Sequence, residues 1–352
     1  MTLKDLLQLA VDRNASDLHL VTGFPPALRV DGELFPIPSE GILTPSMITE
    51  LLNGNLRADI LERLTQNKEV DFSLAFSDRA RFRVNIYTQK GSIAAAFRRI
   101  PLQIPSIDAL GLPKILHSLA AMRQGLILVT GPTGQGKSTS IAAMIQEINM
   151  TQAKHIITVE DPIEFVFNPS RSIVSQREMH SDTHSWQIAL RSVLREDPDV
   201  VLVGEMRDFE TIAAALTVAE TGHLVFATLH TNSAAQTIDR IVDVFPDEQQ
   251  SQVRLQLSNV LEAVFSQRLI PVPQGGRISA YELMLGTTAI RTAVREGKTH
   301  LIDGIIETSQ EVGMNTLDQN LASLVTSGKL TLDVAQGYSL RPEVLTRLVR
   351  RV

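Results

Sequence analysis

The sequence predicts a two-domain α/β protein, with a small α/β domain followed by a larger one built on a parallel sheet. The chain has 352 residues, and one domain per roughly 150 residues is a common ratio. Strand patterns joined by short turns occupy much of residues 1–100, which is typical of hairpins. After about residue 110, short uninterrupted apolar runs alternate with helical segments, and this alternation predicts parallel strands with crossover helices.

The composition is that of an ordinary globular protein. Hydrophobic residues make up 43% of the chain and charged residues 20%, which excludes a disordered polyelectrolyte. There is no cysteine, so disulfides, thiolate zinc sites, iron–sulfur clusters and cysteine nucleophiles are excluded. The net charge of −6 disfavours bulk binding to nucleic acid, and no nucleic-acid partner is expected.

The sequence does not predict a membrane span. Residues 1–17 are charged within the first five positions and follow a helical pattern, so we expect an amphipathic helix rather than a signal peptide. Apolar runs such as 126–129 are far shorter than the roughly 20 residues needed to cross a bilayer. We therefore expect a soluble, cytoplasmic protein whose contact with a membrane is peripheral or made through a partner.

The first hundred residues are expected to form the smaller domain. The predicted elements are a helix at 3–11, strands at 17–21 and 27–35, a helical pattern at 44–64, and strands at 81–87 and 92–100. Asp31-Gly32 is a hairpin-turn signal. The segment that contains Pro101 and Pro105 cannot easily continue a strand. We place a linker at residues 101–110, between domains at 1–100 and 111–352.

The larger domain is expected to contain a parallel sheet. Its four short apolar runs, numbered in chain order, lie at 126–129, 156–159, 200–203 and 224–229. Such runs suit strands that are buried on both faces, and the helical segments between them suit βαβ crossovers. From Phe245 onward the pattern is mainly helical, apart from a strand signal at 278–285, so residues 270–352 are predicted to be a mainly helical part.

Residues 131–138 match the phosphate-binding loop pattern G-x-x-x-x-G-K-[ST] in full, between an apolar strand and a helical stretch. Glycines let backbone N–H groups surround a phosphate. Lys137 supplies charge for the β- and γ-phosphates, and the Ser138 hydroxyl can ligate Mg²⁺. The loop therefore predicts nucleotide binding. The predicted binding residues are Gly131, Pro132, Thr133, Gly134, Gln135, Gly136, Lys137, Ser138 and Thr139.

Carboxylates follow the second and third apolar runs. Glu205 comes just after the third run, with Gly204 at the position where an NTPase usually has aspartate. Glu160, Asp161 and Glu164 follow the second run. The carboxyl ends of parallel strands meet at the ligand crevice, so these acids can surround a γ-phosphate, Mg²⁺ and an attacking water. For any one of them alone, a helix-capping or solvated loop acid is the alternative.

Two histidines flank the fourth apolar run. His223 and His230 are seven residues apart, so on a regular strand they face opposite sides and do not form a metal pair. His230 lies at the carboxyl end of the run, where it can sense a γ-phosphate. His223 lies at the other end and is about equally well explained as structural.

Arginines in both predicted domains are candidates for neutralising phosphate charge. Arg191 and Arg195 are four apart on one face of a predicted helix. Arg81 and Arg83 share a strand face, and Arg98 lies on the paired strand. An arginine that arrives from another domain or subunit increases NTPase rates by roughly 10³–10⁵-fold. Solvated surface arginines explain each of these residues about equally well.

Four motifs together resemble the secretion and pilus ATPase superfamily, and most closely its type IV pilus retraction ATPases. They are GPTGQGKST at 131–139, ITVEDPIEF at 157–165, LREDPDVVLVGEMRD at 194–208 and ETGHLVFATLHTNSA at 220–234. These segments are similar to the Walker A, Asp-box, Walker B and His-box segments of that superfamily. The resemblance implies a PAS-like N-terminal α/β domain, a RecA-like P-loop ATPase domain with a helical C-terminal extension, and a ring hexamer that binds ATP between the domains.

The resemblance also implies roles for individual residues. Lys137 and Ser138 would hold the phosphates and Mg²⁺, Glu164 or Glu160 would be the base, and Glu205 would hold Mg²⁺ or position water. The metal ligands would thus be Ser138, Glu160 and Glu205. The remaining implied residues are a nucleotide sensor and four phosphate-contacting arginines: His230, Arg83, Arg98, Arg191 and Arg195.

The implied function is a hexameric ATPase motor that powers type IV pilus retraction, and twitching motility, through an inner-membrane platform protein. Two positions depart from the family pattern. Gln135 stands where serine is common, and Thr292-Ala293-Val294 replaces Asn-Leu-Ile in the family's AIRNLIREGK segment. The second departure leaves open an accessory paralogue or a related secretion ATPase. The sequence also leaves open a nucleic-acid translocase, and a regulatory subunit that binds ATP without hydrolysing it.

Overall fold

The structure, a computed structural model, describes residues 1–30, 32–76, 80–100, 103–272 and 275–350. The chain divides into two compact units. Unit 1 contains Met1–Gln103 together with Asp161–Val166, whereas unit 2 contains Ile104–Glu160 and Phe167–Val352. The segment that carries Asp161 therefore belongs to unit 1, although the residues on both sides of it belong to unit 2.

Unit 1 is built on an antiparallel sheet with helices packed on one face. Within the described residues, its six strands follow the order β3-β2-β1-β6-β5-β4. The strands are β1 (Asp17–Leu20), β2 (Ala27–Val30), β3 (Glu33–Pro36), β4 (Glu69–Phe76), β5 (Ala80–Gln89) and β6 (Ser92–Ile100). The helices are α1 (Leu3–Asp12), α2 (Pro45–Asn53) and α3 (Ala58–Asn67).

The two faces of this sheet differ because successive side chains of a strand point to opposite sides. On β5, Phe82, Val84 and Ile86 are fully buried in the core that they share with the helices. Arg81 and Arg83 alternate with them and lie on the opposite face. Unit 1 therefore has an apolar face covered by α1–α3 and a second face that carries arginines.

Unit 2 is built on a sheet that is parallel except at one edge. Its seven strands within the described residues follow the order β13-β12-β7-β11-β10-β8-β9, and only β12 and β13 pair antiparallel. The strands are β7 (Gly125–Thr130), β8 (His155–Glu160), β9 (Ile173–Glu178), β10 (Val200–Val203), β11 (Leu224–Leu229), β12 (Leu261–Pro271) and β13 (Arg277–Leu285). The helices are α4 (Ile115–Ala120), α5 (Lys137–Thr151), α6 (Trp186–Val193), α7 (Phe209–Glu220), α8 (Ala234–Asp243), α9 (Asp247–Val260), α10 (Thr288–Arg295), α11 (Ile302–Thr308), α12 (Leu317–Thr326), α13 (Leu332–Tyr338) and α14 (Pro342–Arg350).

The parallel strands bring their carboxyl ends to one edge of the sheet. Every residue of β7, β10 and β11 is buried, as expected for strands covered on both faces. The register pairs Val203 with Val159 on one side and with Ala227 on the other. The loops that follow β7, β8, β10 and β11 therefore start near one another, and these are the loops that carry the predicted site residues.

The four apolar runs predicted as strands are confirmed as β7, β8, β10 and β11. The helical pattern predicted at 44–64 is confirmed as two helices, α2 and α3, with a break between Asn53 and Ala58 that was not predicted. Three strands, β4, β9 and β12, were not predicted. The largest error concerns β12, which lies where the sequence pattern predicts mainly helix; its pairing with both β7 and β13 outweighs local preference.

Three residues in predicted connections, Asp31 of the hairpin turn and Pro101 and Leu102 of the linker, lie outside the described residues.

Within the part of the chain that the structure describes, none of the helices has both the length and the apolar character that a membrane crossing requires.

Arg291, the first arginine of the AIRTAVREGK segment, fastens α10 to the end of α9. Its Nε donates to the carbonyl oxygen of Gly286 at 2.7 Å, and its Nη1 donates to those of Ser258 (2.8 Å) and Asn259 (2.7 Å). Its Nη2 pairs with Glu262 at 2.8 Å. The guanidinium thus satisfies carbonyl groups at a helix C-terminus, where no N–H of the same helix can reach them.

We predict that Arg291→Lys lowers the free energy of unfolding by about 2 kcal/mol, because an ammonium cannot replace a fork of charged hydrogen bonds to four acceptors. Urea denaturation followed by circular dichroism measures the change. Arg295→Lys on the same helix is the matched control, since the only described hydrogen bond of the Arg295 side chain is the one to Thr292, at 3.4 Å. Equal losses for the two variants would contradict the assigned role of Arg291.

Candidate functional site

The loop after β7 begins with a glycine that no other residue can replace without a clash. Gly131 has φ +137°, a value that L-residues with side chains rarely adopt. A Cβ atom at this position would lie 2.4 Å from the carbonyl oxygen of Gln267 on β12. The close approach of the loop to β12 therefore requires glycine.

The rest of the loop is shaped to present backbone N–H groups to an anion. Gly134 and Gly136 also have positive φ, at +77° and +81°, and α5 starts directly after them at Lys137. Within the described residues, no side chain caps the first turn of α5. The first-turn N–H groups and the positive end of the helix dipole are thus not used by a described capping side chain, and such a helix start is typical of anion-binding sites.

Two glutamine side chains anchor the loop and its helix to β12. The Oε1 atom of Gln135 accepts a hydrogen bond from the backbone N–H of Leu269 at 2.6 Å. The Ser140 hydroxyl of α5 donates to Oε1 of Gln267 at 2.6 Å. Gln135, which departs from the family pattern, therefore has a structural role as a tether between the loop and β12.

Lys137 is folded back on the loop. Its Nζ donates to the carbonyl oxygens of Gly131 at 2.8 Å and Pro132 at 3.1 Å, and lies 3.3 Å from Nδ1 of His230. The side chain is almost fully buried. The ammonium group is therefore held beside the space that the loop encloses.

The His230 ring connects Lys137 with Glu205. Its Nδ1 lies 3.3 Å from Nζ of Lys137, and its Nε2 lies 3.2 Å from Oε1 of Glu205. An ammonium group can only donate, so Nδ1 accepts from Lys137 and Nε2–H donates to the carboxylate. The two contacts therefore assign an acceptor role to Nδ1 and a donor role to Nε2.

Glu205 is ionised at neutral pH. Partial burial raises its pKa, but the hydrogen bond and charge of Arg207 (2.7 Å), followed by the contribution of His230, outweigh burial and hold the pKa below its ordinary value. Its Oε1 and Oε2 face His230 and Arg207 respectively. The carboxylate is thus a charged acceptor at the end of β10.

Glu160 lies at the end of β8, buried and hydrogen-bonded. Its Oε1 accepts from the Thr158 hydroxyl at 2.6 Å and from Nε2 of Gln176 at 3.2 Å. Gly204 lies alongside, and a Cβ atom there would be only 3.1 Å from the Val159 carbonyl oxygen and 3.2 Å from Cα of Glu160. This crowding explains why glycine occupies the position where an NTPase usually has aspartate.

In unit 1, strand register aligns arginines with acids on the exposed face of the sheet. Arg83 and Arg98 are directly paired residues of β5 and β6. Arg83 bonds to Asp71 at 2.9 Å, and its Nη1 is 3.8 Å from Oε1 of Glu164. Arg98 bonds to Asp17 at 2.8 Å, although its own side chain is 74% exposed. The two acids missed by the sequence, Asp17 and Asp71, hold the arginines in place.

The charge of Arg83 is strongly favoured. Burial lowers its pKa, but the Asp71 hydrogen bond and the charges of Asp71, Glu164 and Asp161 outweigh burial and raise the pKa above its ordinary value. Glu164, one of the two predicted bases, is thereby placed in an ion pair within unit 1.

The other candidate arginines and His223 differ in whether their side chains have described partners. Arg191 and Arg195 are exposed, and within the described residues neither side chain forms an ion pair. Arg81 donates to Ser73 inside unit 1. His223 Nδ1 is 3.0 Å from the Val218 carbonyl oxygen and from the Thr221 hydroxyl, which supports its structural interpretation.

The family model described as "Type II/IV secretion system protein" matches residues 1–275, which is more than half of the chain. The chain belongs to the type II/IV secretion system protein family. The resemblance inferred from the four motifs, and the α/β fold class that it implies, are confirmed.

Two curated members of this family are similar over most of their length. The "Type IV pilus retractation ATPase PilT" of Pseudomonas aeruginosa is 47% identical over 346 residues, which cover 97% of this chain and 99% of that protein. The "Twitching motility protein" of Neisseria gonorrhoeae is 47% identical over 325 residues, which cover 91% and 86% of the two chains. A crystal structure described as the pilus retraction motor PilT with bound ADP superposes with a TM-score of 0.92, at 47% identity, and covers 99% of each chain.

The predicted site residues are distributed over both units of this chain. In unit 2, Lys137, His230 and Glu205 form one hydrogen-bonded chain. Glu160 lies beside Gly204 at the same sheet edge. Of the predicted site residues, Arg83, Arg98 and Glu164 belong to unit 1. Their roles in catalysis remain predictions.

We predict that Gly131→Ala weakens nucleotide binding at least tenfold more than Gly134→Ala. Both glycines have positive φ, so both variants carry the cost of about 1–2 kcal/mol for a left-handed alanine. Only at Gly131 would the new Cβ meet another atom, the Gln267 carbonyl oxygen, whereas nothing lies within 4 Å of a Cβ at Gly134. Titration with a fluorescent ADP analogue measures both dissociation constants, and equal weakening would contradict the steric argument.

Proposed function

We propose that this protein is the ATPase motor that powers retraction of type IV pili. The chain is an ATPase, since it belongs to the type II/IV secretion system protein family and is 47% identical to a retraction ATPase over nearly its whole length. The observation that carries the proposal is the hydrogen-bonded chain Lys137–His230–Glu205. It connects the phosphate-binding loop to an ionised carboxylate through a ring that can respond to a bound phosphate.

ATP binds with its phosphates in the loop after β7. The first-turn N–H groups of α5 and the Lys137 ammonium supply the positive charge that the β- and γ-phosphates require. In the structure this ammonium bonds to carbonyl oxygens of its own loop. A phosphate oxygen carries more negative charge than a carbonyl oxygen, so the lysine exchanges these contacts for phosphate contacts when ATP binds.

The donor set fits Mg²⁺ in the presence of a nucleotide. In the described residues, no three or more His, Asp or Glu side chains are grouped to hold a metal ion by themselves. Mg²⁺ commonly takes one or two carboxylates together with substrate phosphates and water. The hydroxyl of Ser138 and the carboxylates of Glu160 and Glu205 are the proposed ligands, and bound Mg²⁺ would neutralise charge on the phosphates.

We assign the orientation of the attacking water to Glu205. It is ionised, and it is hydrogen-bonded to the ring that contacts Lys137. The Oε1 atom of Glu160 accepts from Thr158 and Gln176, and Glu164 is paired with Arg83, so neither acid has a described contact with the His230 ring. Glu160 is therefore kept as a proposed Mg²⁺ ligand on the neighbouring strand, and Glu164 sets the charge balance around Arg83.

The arginines provide the remaining positive charge in an assembled ring. Arg83 and Arg98 are held on the sheet of unit 1 by Asp71 and Asp17, and Arg83 keeps its charge. Arg191 and Arg195 are exposed and make no ion pair within the described residues. We propose a homo-hexamer in which these arginines contact ATP, some of them across subunits, as arginine fingers do in other NTPases.

The proposed place of action is the cytoplasmic side of the inner membrane, where the hexamer would push on a platform protein of the pilus machine. Similarity to the two curated relatives, whose names describe pilus retraction and twitching motility, supports this assignment. The acidic balance of the chain supports a protein partner rather than nucleic acid.

We predict that Glu205→Gln lowers kcat for ATP hydrolysis by about 10²-fold or more, because the amide cannot accept a proton from water or hold it as a carboxylate does. The dissociation constant for ATP should change by less than about threefold, since the loop and Lys137 bind the phosphates. Phosphate-release kinetics and nucleotide titration give the two values. Glu210→Gln, an exposed acid at the start of α7, is the matched control. A Glu205 variant with unreduced turnover would refute the assignment.

We predict that a strain lacking this gene loses surface motility and retains pili that do not retract. Expression of the wild-type chain should restore retraction, whereas Lys137→Ala should not, because the nucleotide site loses its phosphate-binding charge. Lys4→Ala, at an exposed lysine of α1, is the control and should restore it. Normal retraction in the deletion strain would favour an accessory role over the main motor.

A further inference from the structure

A buried carboxylate outside the residues assigned above, Glu282, lies next to the loop that carries His230. It is on β13, opposite Ser266 of β12, and only 3% of its surface is exposed. Burial of an ionisable carboxyl group costs free energy unless donors compensate. Its contacts therefore show what it stabilises.

Glu282 joins the starts of two helices. Its Oε1 accepts a hydrogen bond at 2.7 Å from the N–H of Ala234, the first residue of α8. The N–H of Leu317, the first residue of α12, is its second donor. First-turn N–H groups have no acceptor within their own helix and carry partial positive charge. One carboxylate thus satisfies both helix starts.

The first of these helices follows directly after the His230 loop. Only residues 230–233 lie between the end of β11 and α8. Inside this loop, the Thr231 hydroxyl is 2.7 Å from the Thr237 hydroxyl, so the loop is tied to the first turn of α8. The start of α8 and the residue next to His230 are therefore directly linked.

Among the described residues, β12 hydrogen-bonds to this loop and β13 hydrogen-bonds to the start of α8 that follows it. Arg268 of β12 donates to Oδ1 of Asn232 at 3.1 Å, and Glu282 of β13 accepts from Ala234. The Glu282 contact is the buried one of the two. The position of His230 relative to Glu205 thus depends on a strand that sequence patterns do not connect with catalysis.

The surroundings of Glu282 control its ionisation. Charged groups on the elements around it include Arg268 of β12, Asp303 of α11, Asp318 of α12 and Arg341 before α14. Burial, with a smaller contribution from Asp303, raises the pKa of Glu282 to about 7. The two helix N–H groups and Arg341 act in the opposite direction without offsetting burial.

We propose that Glu282 is a positioning residue for ATP hydrolysis, which holds the loop at 230–233 so that the His230 ring stays between Lys137 and Glu205. The inference rests on the proposed ATPase function, because it concerns the same site. The ionised carboxylate accepts hydrogen bonds from both helix starts. The protonated acid must use one oxygen as a donor, so it holds the two N–H groups less well.

The test compares Glu282→Gln with Asp318→Asn. The first variant keeps the length of the side chain and removes the charge. The second removes a carboxylate that is as deeply buried, and that bonds to Ser339 and Arg341 but makes no contact with the His230 loop. Both variants are assayed as full-length protein for kcat and KM for ATP between about pH 6 and 8.5, and for the midpoint of thermal unfolding.

We expect kcat of the wild-type protein to rise with pH through about 7, as Glu282 loses its proton. Glu282→Gln should lower kcat about tenfold at pH 8 and remove this rise. That loss is smaller than the roughly 10²-fold that a 1 Å misplacement of a catalytic group can cause. KM should stay within about twofold, because the loop after β7 binds the phosphates. Asp318→Asn should retain the rise of kcat with pH, at a midpoint shifted by the loss of a nearby charge, even if it unfolds at a lower temperature.

A Glu282→Gln variant with wild-type kcat and pH profile would overturn the proposal, and so would an equal kinetic defect in Asp318→Asn. Hydrogen–deuterium exchange of the peptide that spans 230–237 provides a readout without turnover. Exchange at this peptide should be at least tenfold faster in Glu282→Gln alone. If the wild-type protein hydrolysed no ATP, the proposed function would fail, and the exchange result would still decide the role of Glu282.

Thermal unfolding gives an independent check on the charge state. A solvated glutamic acid in the unfolded chain has its pKa near 4.5, whereas burial keeps the proton on folded Glu282 up to about pH 7. The folded state therefore binds more protons in this window, and its stability falls as pH rises from about 4.5 to about 7. Glutamine does not titrate, so the unfolding midpoint of Glu282→Gln relative to wild type should rise over this range. If the difference between the two unfolding midpoints stayed constant over this pH range, the burial of a titrating carboxyl group would be contradicted.

Discussion

The contact between the Lys137 ammonium and the His230 ring determines how the rest of the site is arranged. Lysine can only donate a hydrogen bond, so it fixes Nδ1 of the ring as an acceptor and leaves Nε2–H to face Glu205. This arrangement is possible because β7, β10 and β11 are adjacent parallel strands that end at one edge. Three motifs separated by up to about ninety residues thereby become one electrostatic unit.

The close packing behind this unit comes from β12, which supplies no catalytic group. Its Gln267 carbonyl oxygen leaves no space for a side chain at Gly131, and its Leu269 N–H holds Gln135. Protein interiors are packed as densely as organic crystals, so a strand in this position fixes the path of the phosphate-binding loop. The unusual glutamine at 135 is accounted for by this tether.

Local patterns were sufficient to predict the parts of the protein that depend on local chemistry. The apolar runs identify four strands, and the glycines with Lys137 and Ser138 identify the phosphate-binding loop. The sequence does not show β12, because its pairing with β7 and β13 is non-local. It also does not show that Asp71 and Asp17 hold Arg83 and Arg98, since those pairs depend on the register of distant strands.

The six residues Asp161–Val166 lie between two segments of unit 2 but belong to unit 1. The backbone therefore passes between the units three times, after Gln103, after Glu160 and after Val166. A fragment that ends at Gln103 would lack Glu164, which pairs with Arg83. Unit 1 is therefore not one continuous block of sequence, and a chimaera that exchanged residues 1–103 alone would take Arg83 from one parent and Glu164 from the other.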